Sequence, residues 1–293
     1  MCIRKNDYDK ALKIYNEEIK INKELKKVGN IEKLVINESD IIKVLENKIN
    51  MVFNEDKLNF LDNIKEEINN KLYGVGKYSE EIINLIKNKL LNKEGFLKIY
   101  LEGEAYLGKS SLVKIIAESM PKCNFLRIDL NEYRREYDIN RLIGTTQGYV
   151  GYNDEHLFSK LKNNNFSIIL FDNYNVAHSN IKELIKEILK EKYITDSRGE
   201  KIYFNNTFIF ITNDISKSNR VGFNNKNIFE QNELYDLVDG CITFDKLTKE
   251  KLLNYLDKLN VVDKDKIVNN SNYEIFNYKN INKLVKNEKL ISS

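Results

Sequence analysis

With 293 residues, 42% of them apolar, the chain can build one large packed domain and a smaller satellite, which excludes wholesale disorder. Its 47 basic and 44 acidic residues leave a formal charge of +3, too little for the electrostatic footprint of a nucleic-acid or membrane-surface binder. Three cysteines, far apart and in no CxxC pair, fit a reducing compartment and argue against a thiolate metal site, and two histidines exclude a His-rich centre.

In chain order, the first pattern is "YDKALKIYNEEIKINKELKKV" over 8–28. Apolar residues recur there at helical spacing among charges, predicting an exposed amphipathic or coiled-coil helix. Helical patterns continue in "ESDIIKVLENKI", opened by a Ser39 cap, and in "DKLNFLDNIKEEINNKL". No apolar run approaches a membrane span. The start "MCIRKNDYDKALK" has neither the apolar segment of a secretory signal nor the composition of a transit peptide, so the protein is expected to work where it is made or in the cytosol. The heavy use of Asn, Lys, Ile and Tyr reads as the background of an AT-rich genome.

From Gly95 onward the pattern changes. Short β-branched or aromatic runs, "FLKIYLEG", "NFLRIDL", "FSIILFDN" and "NTFIFITND", alternate with helical stretches such as "LVKIIAESM" and "IKELIKEILKE". This alternation predicts an α/β fold, a parallel sheet covered by helices, with the most apolar strands buried on both faces. The tail returns to helical patterning in "TKEKLLNYLDKL" and "KNINKLVKN" and is too short to fold alone. The expected division is a helical region and linker over 1–53, an α/β domain over 54–246 and a small helical domain over 247–293.

"GEAYLGKS", Gly103 to Ser110, satisfies the P-loop pattern between a predicted strand and a predicted helix. Backbone N–H groups of Gly103, Glu104, Ala105, Tyr106, Leu107 and Gly108, with Ser111 in the helix's first turn, would cradle phosphates. Lys109 would neutralise the terminal ones and Ser110 would reach Mg²⁺. The strand "SIILFD" ends in Asp172, which suits the acidic residue of the Mg²⁺ shell. Asn213, near the end of "FIFITN", is the candidate sensor of the terminal phosphate or the attacking water; a turn-forming Asn is the plainer alternative.

"LRIDLNEYRREYDINRLIGTTQGYVGY", Leu126 to Tyr152, resembles the second AAA+ module of the Clp ATPases, and "FDNYNVAHSNIKELIKEIL" and "YITDSRGEKIYFNNTFIFITN" continue the likeness in order. It runs from about Asn54 to Lys286, and within the family ClpC of bacteria and plastids is most similar. The resemblance implies an AAA+ domain binding ATP and Mg²⁺. It implies a substrate pore loop at Gly148, Tyr149, Val150 and Gly151, adenine contacts at Leu72 and Tyr73 within "KLYGV", and docking of Val221, Gly222 and Phe223 onto a ClpP-type peptidase. Oligomeric rings with other Clp subunits and unfolded polypeptide substrates follow from the same likeness, which together with the AT-rich bias points to a plastid or plastid-derived organelle.

The chain departs from that pattern. Asn173 stands where the family carries the glutamate that polarises water, a loss that typically costs ~10²–10⁴ in rate. Leu237 stands where the arginine finger belongs, worth ~10³–10⁵ in related NTPases. Lys279 replaces the sensor arginine and lacks its bidentate fork. Tyr106 replaces a glycine inside the P-loop, where a side chain crowds phosphates or needs a strained backbone. The expectation is therefore a ClpC-like subunit that holds ATP and hydrolyses it weakly or not at all. The alternative is a nucleotide-gated adaptor or scaffold without unfolding activity.

Overall fold

The computed structural model describes residues 15–20, 60–72, 74–92, 94–149, 152, 154–162, 166–215, 233–246 and 248–258. The chain falls into two compact units, 1–43 and 44–293. In the first, residues 15–20 are helical and exposed, as the pattern over 8–28 requires. The expected helices over 38–49 and 279–287 lie outside the described residues.

In the second unit, helix α1 (Phe60–Lys71) buries Leu61, Ile64 and Ile68, one apolar stripe at helical spacing. Helix α2 (Gly76–Leu91) buries Tyr78, Ile82, Ile86 and Leu90. The expected elements omit α2, although Ile82, Ile86 and Leu90 recur every four residues. Strand β1 (Phe96–Gly103) leads through the P-loop into helix α3 (Lys109–Ser119), and strand β2 (Asn124–Asp129) follows. After a short helix α4 (Asn140–Ile143) and a 3-10 turn at Leu157–Leu161 comes strand β3 (Ser167–Asp172). Helix α5 (Ser179–Glu191), the small strands β4 (Tyr193–Thr195) and β5 (Lys201–Tyr203), strand β6 (Thr207–Asp214), strand β7 (Gly240–Phe244) and helix α6 (Lys249–Lys258) complete the described order.

Five strands form one sheet in the order β2-β3-β6-β1-β7, and every neighbouring pair is parallel. Strands β4 and β5 form a separate antiparallel hairpin. The expected α/β class, a parallel sheet flanked by helices, is the one observed. All residues of β3 are buried, and in β6 only Asp214 is not, because helices cover both faces. On one face Leu97, Ile99, Ile168, Leu170, Phe208 and Phe210 pack against α1, α2 and α3. On the other, Ile169, Phe171, Ile209 and Ile211 pack against Ile181, Ile185 and Ile188 of α5. Alternate residues of each strand thus divide between two cores, as a period of two demands.

This order has a consequence for binding. The connection after β1 passes over β6 and β3 to reach β2, while β7 pairs with the other side of β1. The carboxyl ends of β1, β3 and β6 therefore border a crevice at a topological switch point, where open α/β sheets take up ligands. Among the described residues, no helix is long and apolar enough to cross a membrane.

Candidate functional site

The crevice is a cavity of about 390 Å³, bordered by the P-loop, the ends of β3 and β6, and Arg127 of β2. The P-loop turns sharply at three positions: Gly103 (φ 146°), Tyr106 (φ 65°) and Gly108 (φ 94°). At Gly103 a Cβ would lie 2.8 Å from the Phe244 carbonyl oxygen, so glycine lets β1 end tight against β7. Gly108 then turns the chain into α3, whose first residue is Lys109. Tyr106 adopts the left-handed conformation with a Cβ, which costs about 1–2 kcal/mol. Its side chain is half exposed at the cavity wall.

Lys109 is buried. Its ammonium donates to the carbonyls of Gly103 (3.0 Å) and Glu104 (2.7 Å) and pairs with the Asp214 carboxylate at 2.9 Å. Ser110 donates to Asp172 Oδ1 at 2.6 Å, so the hydroxyl and carboxylate expected to share a cation are adjacent. Thr212 donates to the same oxygen at 2.5 Å. Arg127 grips Oδ2 through Nε (3.0 Å) and Nη2 (2.6 Å). Burial of this carboxylate is thereby balanced by two hydroxyls and a bidentate cation.

Asn173 is the first residue past β3 and sits in the left-handed region (φ 65°, ψ 52°), which Asn tolerates better than most residues. Its N–H donates to Thr212 Oγ1 at 3.1 Å and its Nδ2 to Asp129 Oδ1 at 3.2 Å. The side chain borders the cavity with an amide. Burial alone would raise the Asp129 carboxyl, but the Asn131 N–H and amide, the Asn173 amide and Arg127 outweigh it and hold it below the usual range.

Asn213 does not reach the cavity. Thr212 and Asp214 share the face of β6 that looks onto Asp172 and Lys109, and Asn213, one residue out of phase, is buried on the opposite face beside Tyr100. The β6 residue that pairs with Lys109 and borders the cavity is Asp214, which the reading of the sequence passes over. Arg127 is missed in the same way.

Leu72 is half-buried against the core of the α1–α3 face, and Val75 lies 3.5 Å from a Cβ placed on Gly108, so Val75 adjoins the P-loop. Leu237 packs against the opposite core. Gly148 turns with φ 96° and open space around it, and Tyr149 is 72% exposed. The stem of that loop is held by the β4–β5 hairpin. Ser197 N–H donates to the Ile143 carbonyl at 2.9 Å, and Arg198 Nη2 donates to the carbonyls of Tyr152 (2.9 Å) and Asp154 (3.2 Å). Tyr73, Val150, Gly151, Val221, Gly222, Phe223 and Lys279 lie outside the described residues.

The geometry fits a magnesium nucleotide. A hard cation bound by one carboxylate and one hydroxyl, with phosphates and water completing the shell, is the usual form of such sites. Ser110 and Asp172 offer that pair, and the described residues contain no cluster of three or more His, Cys, Asp or Glu side chains that would hold a metal by themselves. The N-terminus of α3 faces the same cavity.

The family described as AAA domain (Cdc48 subfamily) matches residues 96–275, from the start of β1 to beyond α6. The chain belongs to that family. Among curated AAA proteins it is similar to the ATP-dependent Clp protease ATP-binding subunit ClpC of Staphylococcus aureus, 26% identical over 83% of this chain and 34% of the relative. It is also similar to subunit ClpE of Bacillus subtilis, 23% identical over 88% of this chain and 41% of the relative. Both relatives are Clp ATPases, the family its motifs resemble, and the chain spans about a third of the length of ClpC. A closed-state reconstruction of Hsp104 with ATPγS and FITC casein superposes with a TM-score of 0.70 at 18% identity, over 87% of this chain and 51% of that one, which shows the shared AAA fold.

Proposed function

We propose that this AAA chain is a ClpC-like, nucleotide-holding subunit that joins Clp-type ATPase partners in a ring and threads or gates polypeptides toward a ClpP-type peptidase. The observation that carries the reading is the juxtaposition of the P-loop with the Ser110–Asp172 pair at 2.6 Å, on a sheet of the order described. Lys109, Ser110 and Asp172 would hold Mg·ATP. Bound there, the nucleotide supplies the energy of phosphoryl transfer and a change of shape between its tri- and diphosphate states.

Slow hydrolysis follows from the chain's own residues. Asn173 can hydrogen-bond water but carries no carboxylate to take up its proton. Leu237 offers an apolar side chain, packed on its own core, where an arginine would serve a neighbouring subunit. The exposure of Tyr149, on a stem anchored by Ser197 and Arg198, supports a gripping role, since an aromatic on a glycine-flanked loop presses on any chain regardless of sequence. The second reading, a nucleotide-gated adaptor or scaffold without unfolding activity, is favoured by Asn173 and Leu237. We place the protein in a plastid or plastid-derived organelle, or otherwise in the cytoplasm; immunolocalisation distinguishes these.

The test combines the purified chain with a ClpC-type ATPase, a ClpP-type peptidase and fluorescein-labelled casein. ATP-dependent entry into a ring, with casein degradation that falls when Tyr149→Ala is introduced, is the expected result. Ring entry with no effect of Tyr149→Ala supports the adaptor reading. A chain that remains monomeric with ATP and ignores the other ATPase contradicts both.

A further inference from the structure

Two cations border the cavity, Lys109 and Arg127, and so do two anions, Asp214 and Asp172. Each cation is already paired with one of the anions, Lys109 with Asp214 at 2.9 Å and Arg127 with Asp172 at 2.6 Å. The cavity is therefore close to electroneutral, which is an unfavourable starting point for a polyphosphate. Asp172 has a partner role toward a cation through Ser110. Asp214 has no such role. Its carboxylate sits on the ammonium that a terminal phosphate would need, and the other two donors of that ammonium are spent on the Gly103 and Glu104 carbonyls.

We propose that Asp214 makes this a diphosphate-selective site, one that takes Mg·ADP in preference to Mg·ATP. The inference rests on the reading of the P-loop as a nucleotide site and adds its phosphate specificity. The P-loop lysine reaches the β- and γ-phosphates. A diphosphate brings only its β-phosphate to Lys109 and can take the place of one carbonyl acceptor while Asp214 stays paired, whereas a third phosphate must displace the carboxylate from the ammonium and then lie beside it. Asp214 is held in place on the closing residue of β6, paired in register with Gly103, so its backbone cannot retreat without opening the β1–β6 ladder. The Ile215 N–H donates to the Gly103 carbonyl at 3.0 Å and locks the same end. Lys246 is engaged by the nearby Glu104 carboxylate at 2.8 Å and does not line the cavity. The carboxylate is about one third exposed, so solvent screens part of the repulsion. The expected discrimination is about tenfold, the equivalent of ~1.4 kcal/mol.

Isothermal calorimetry of the full chain with Mg·ADP and with Mg·ATP reads this directly. Mg·ADP should bind about tenfold more tightly. Asp214→Asn, which keeps the side chain's shape and removes its charge, should tighten Mg·ATP by roughly tenfold or more and Mg·ADP much less, inverting or abolishing the preference. Equal affinities in the unmodified chain, or an Asp214→Asn variant that weakens both nucleotides, would overturn the proposal while leaving the nucleotide site intact. If neither nucleotide binds to either protein, the nucleotide reading itself fails and the specificity falls with it. The comparison in the unmodified chain needs no variant to fold, so the proposal stands or falls even without Asp214→Asn.

Discussion

Removing Arg127 should have opposite effects on stability and on the response to magnesium. The Asp172 side chain is 4% exposed and accepts from Ser110, from Thr212 and, through its Oδ2, from both Nε and Nη2 of Arg127. At about 3 Å the attraction is worth ~5 kcal/mol for an effective dielectric near 20 and ~1.4 kcal/mol in bulk water. Arg127 is 52% exposed, so most of its hydration is retained and the lower end applies. Arg127→Ala should therefore destabilise the protein by about 1–3 kcal/mol, since a buried carboxylate loses the guanidinium that pairs with it. Over a unit of this size that lowers Tm by roughly 3–10 °C. The freed Oδ2 is then open to a cation, so millimolar Mg²⁺ should raise the Tm of the variant more than that of the parent. Arg127→Lys, which keeps the charge without the fork, should fall between them. Differential scanning calorimetry with and without Mg²⁺ measures all three. A variant that melts within 1 °C of the parent, or equal stabilisation of both by Mg²⁺, would refute the account of Asp172.

Three further outcomes are expected. Tyr106→Gly relieves the left-handed strain at φ 65° but adds freedom to the unfolded chain, so thermal melts should show a net change between zero and about 1 kcal/mol in favour of the variant. Burial alone would raise the Asp196 carboxyl, but hydrogen bonds from Lys162, the Glu200 and Arg198 N–H groups and His156 outweigh it and bring it from 3.8 to about 2. Because the folded pKa is the lower one, that contribution, at most about 2 kcal/mol, is complete above pH ~4 and lost as pH falls toward 2. Asp196→Asn should remove this acid-sensitive portion of the denaturation profile. Burial raises the Cys123 thiol to about 12, and burial with the Glu102 charge raises Cys241 to about 11. By thiolate fraction at pH 8, alkylation followed by peptide mass spectrometry should run roughly a hundredfold slower than for free cysteine at Cys241 and about tenfold slower again at Cys123.

The P-loop and Asp172 were legible because each is a contiguous signal: a glycine-framed loop before a helix, and an apolar run ending in a carboxylate. Asp214 was not, for a physical reason. Phe208 to Ile211 are apolar at every position because both faces of β6 are covered, so no alternation marks which of Thr212, Asn213 and Asp214 looks onto the P-loop. Arg127 was hidden differently. Its partner Asp172 is 45 residues away, and only the parallel β2–β3 pairing, which sets Asp129 beside Asp172 and Arg127 beside Leu170, brings them together. The β4–β5 hairpin has three-residue strands, too short for a period of two to register, yet it anchors the loop that carries Tyr149.

We propose that the P-loop of this chain holds nucleotide while Asn173 leaves it nearly inert. Steady-state phosphate release measured beside Mg·nucleotide affinity, for the parent and for Asn173→Glu, tests it most directly. Glutamate at this position meets Asp129, 3.2 Å from the present amide, and a left-handed backbone, so the variant should be somewhat less stable. Binding with negligible turnover in the parent, and at least a tenfold rise in turnover with Asn173→Glu, is the expected outcome. Brisk turnover in the parent, unchanged by glutamate, would contradict it and make the chain a working motor subunit.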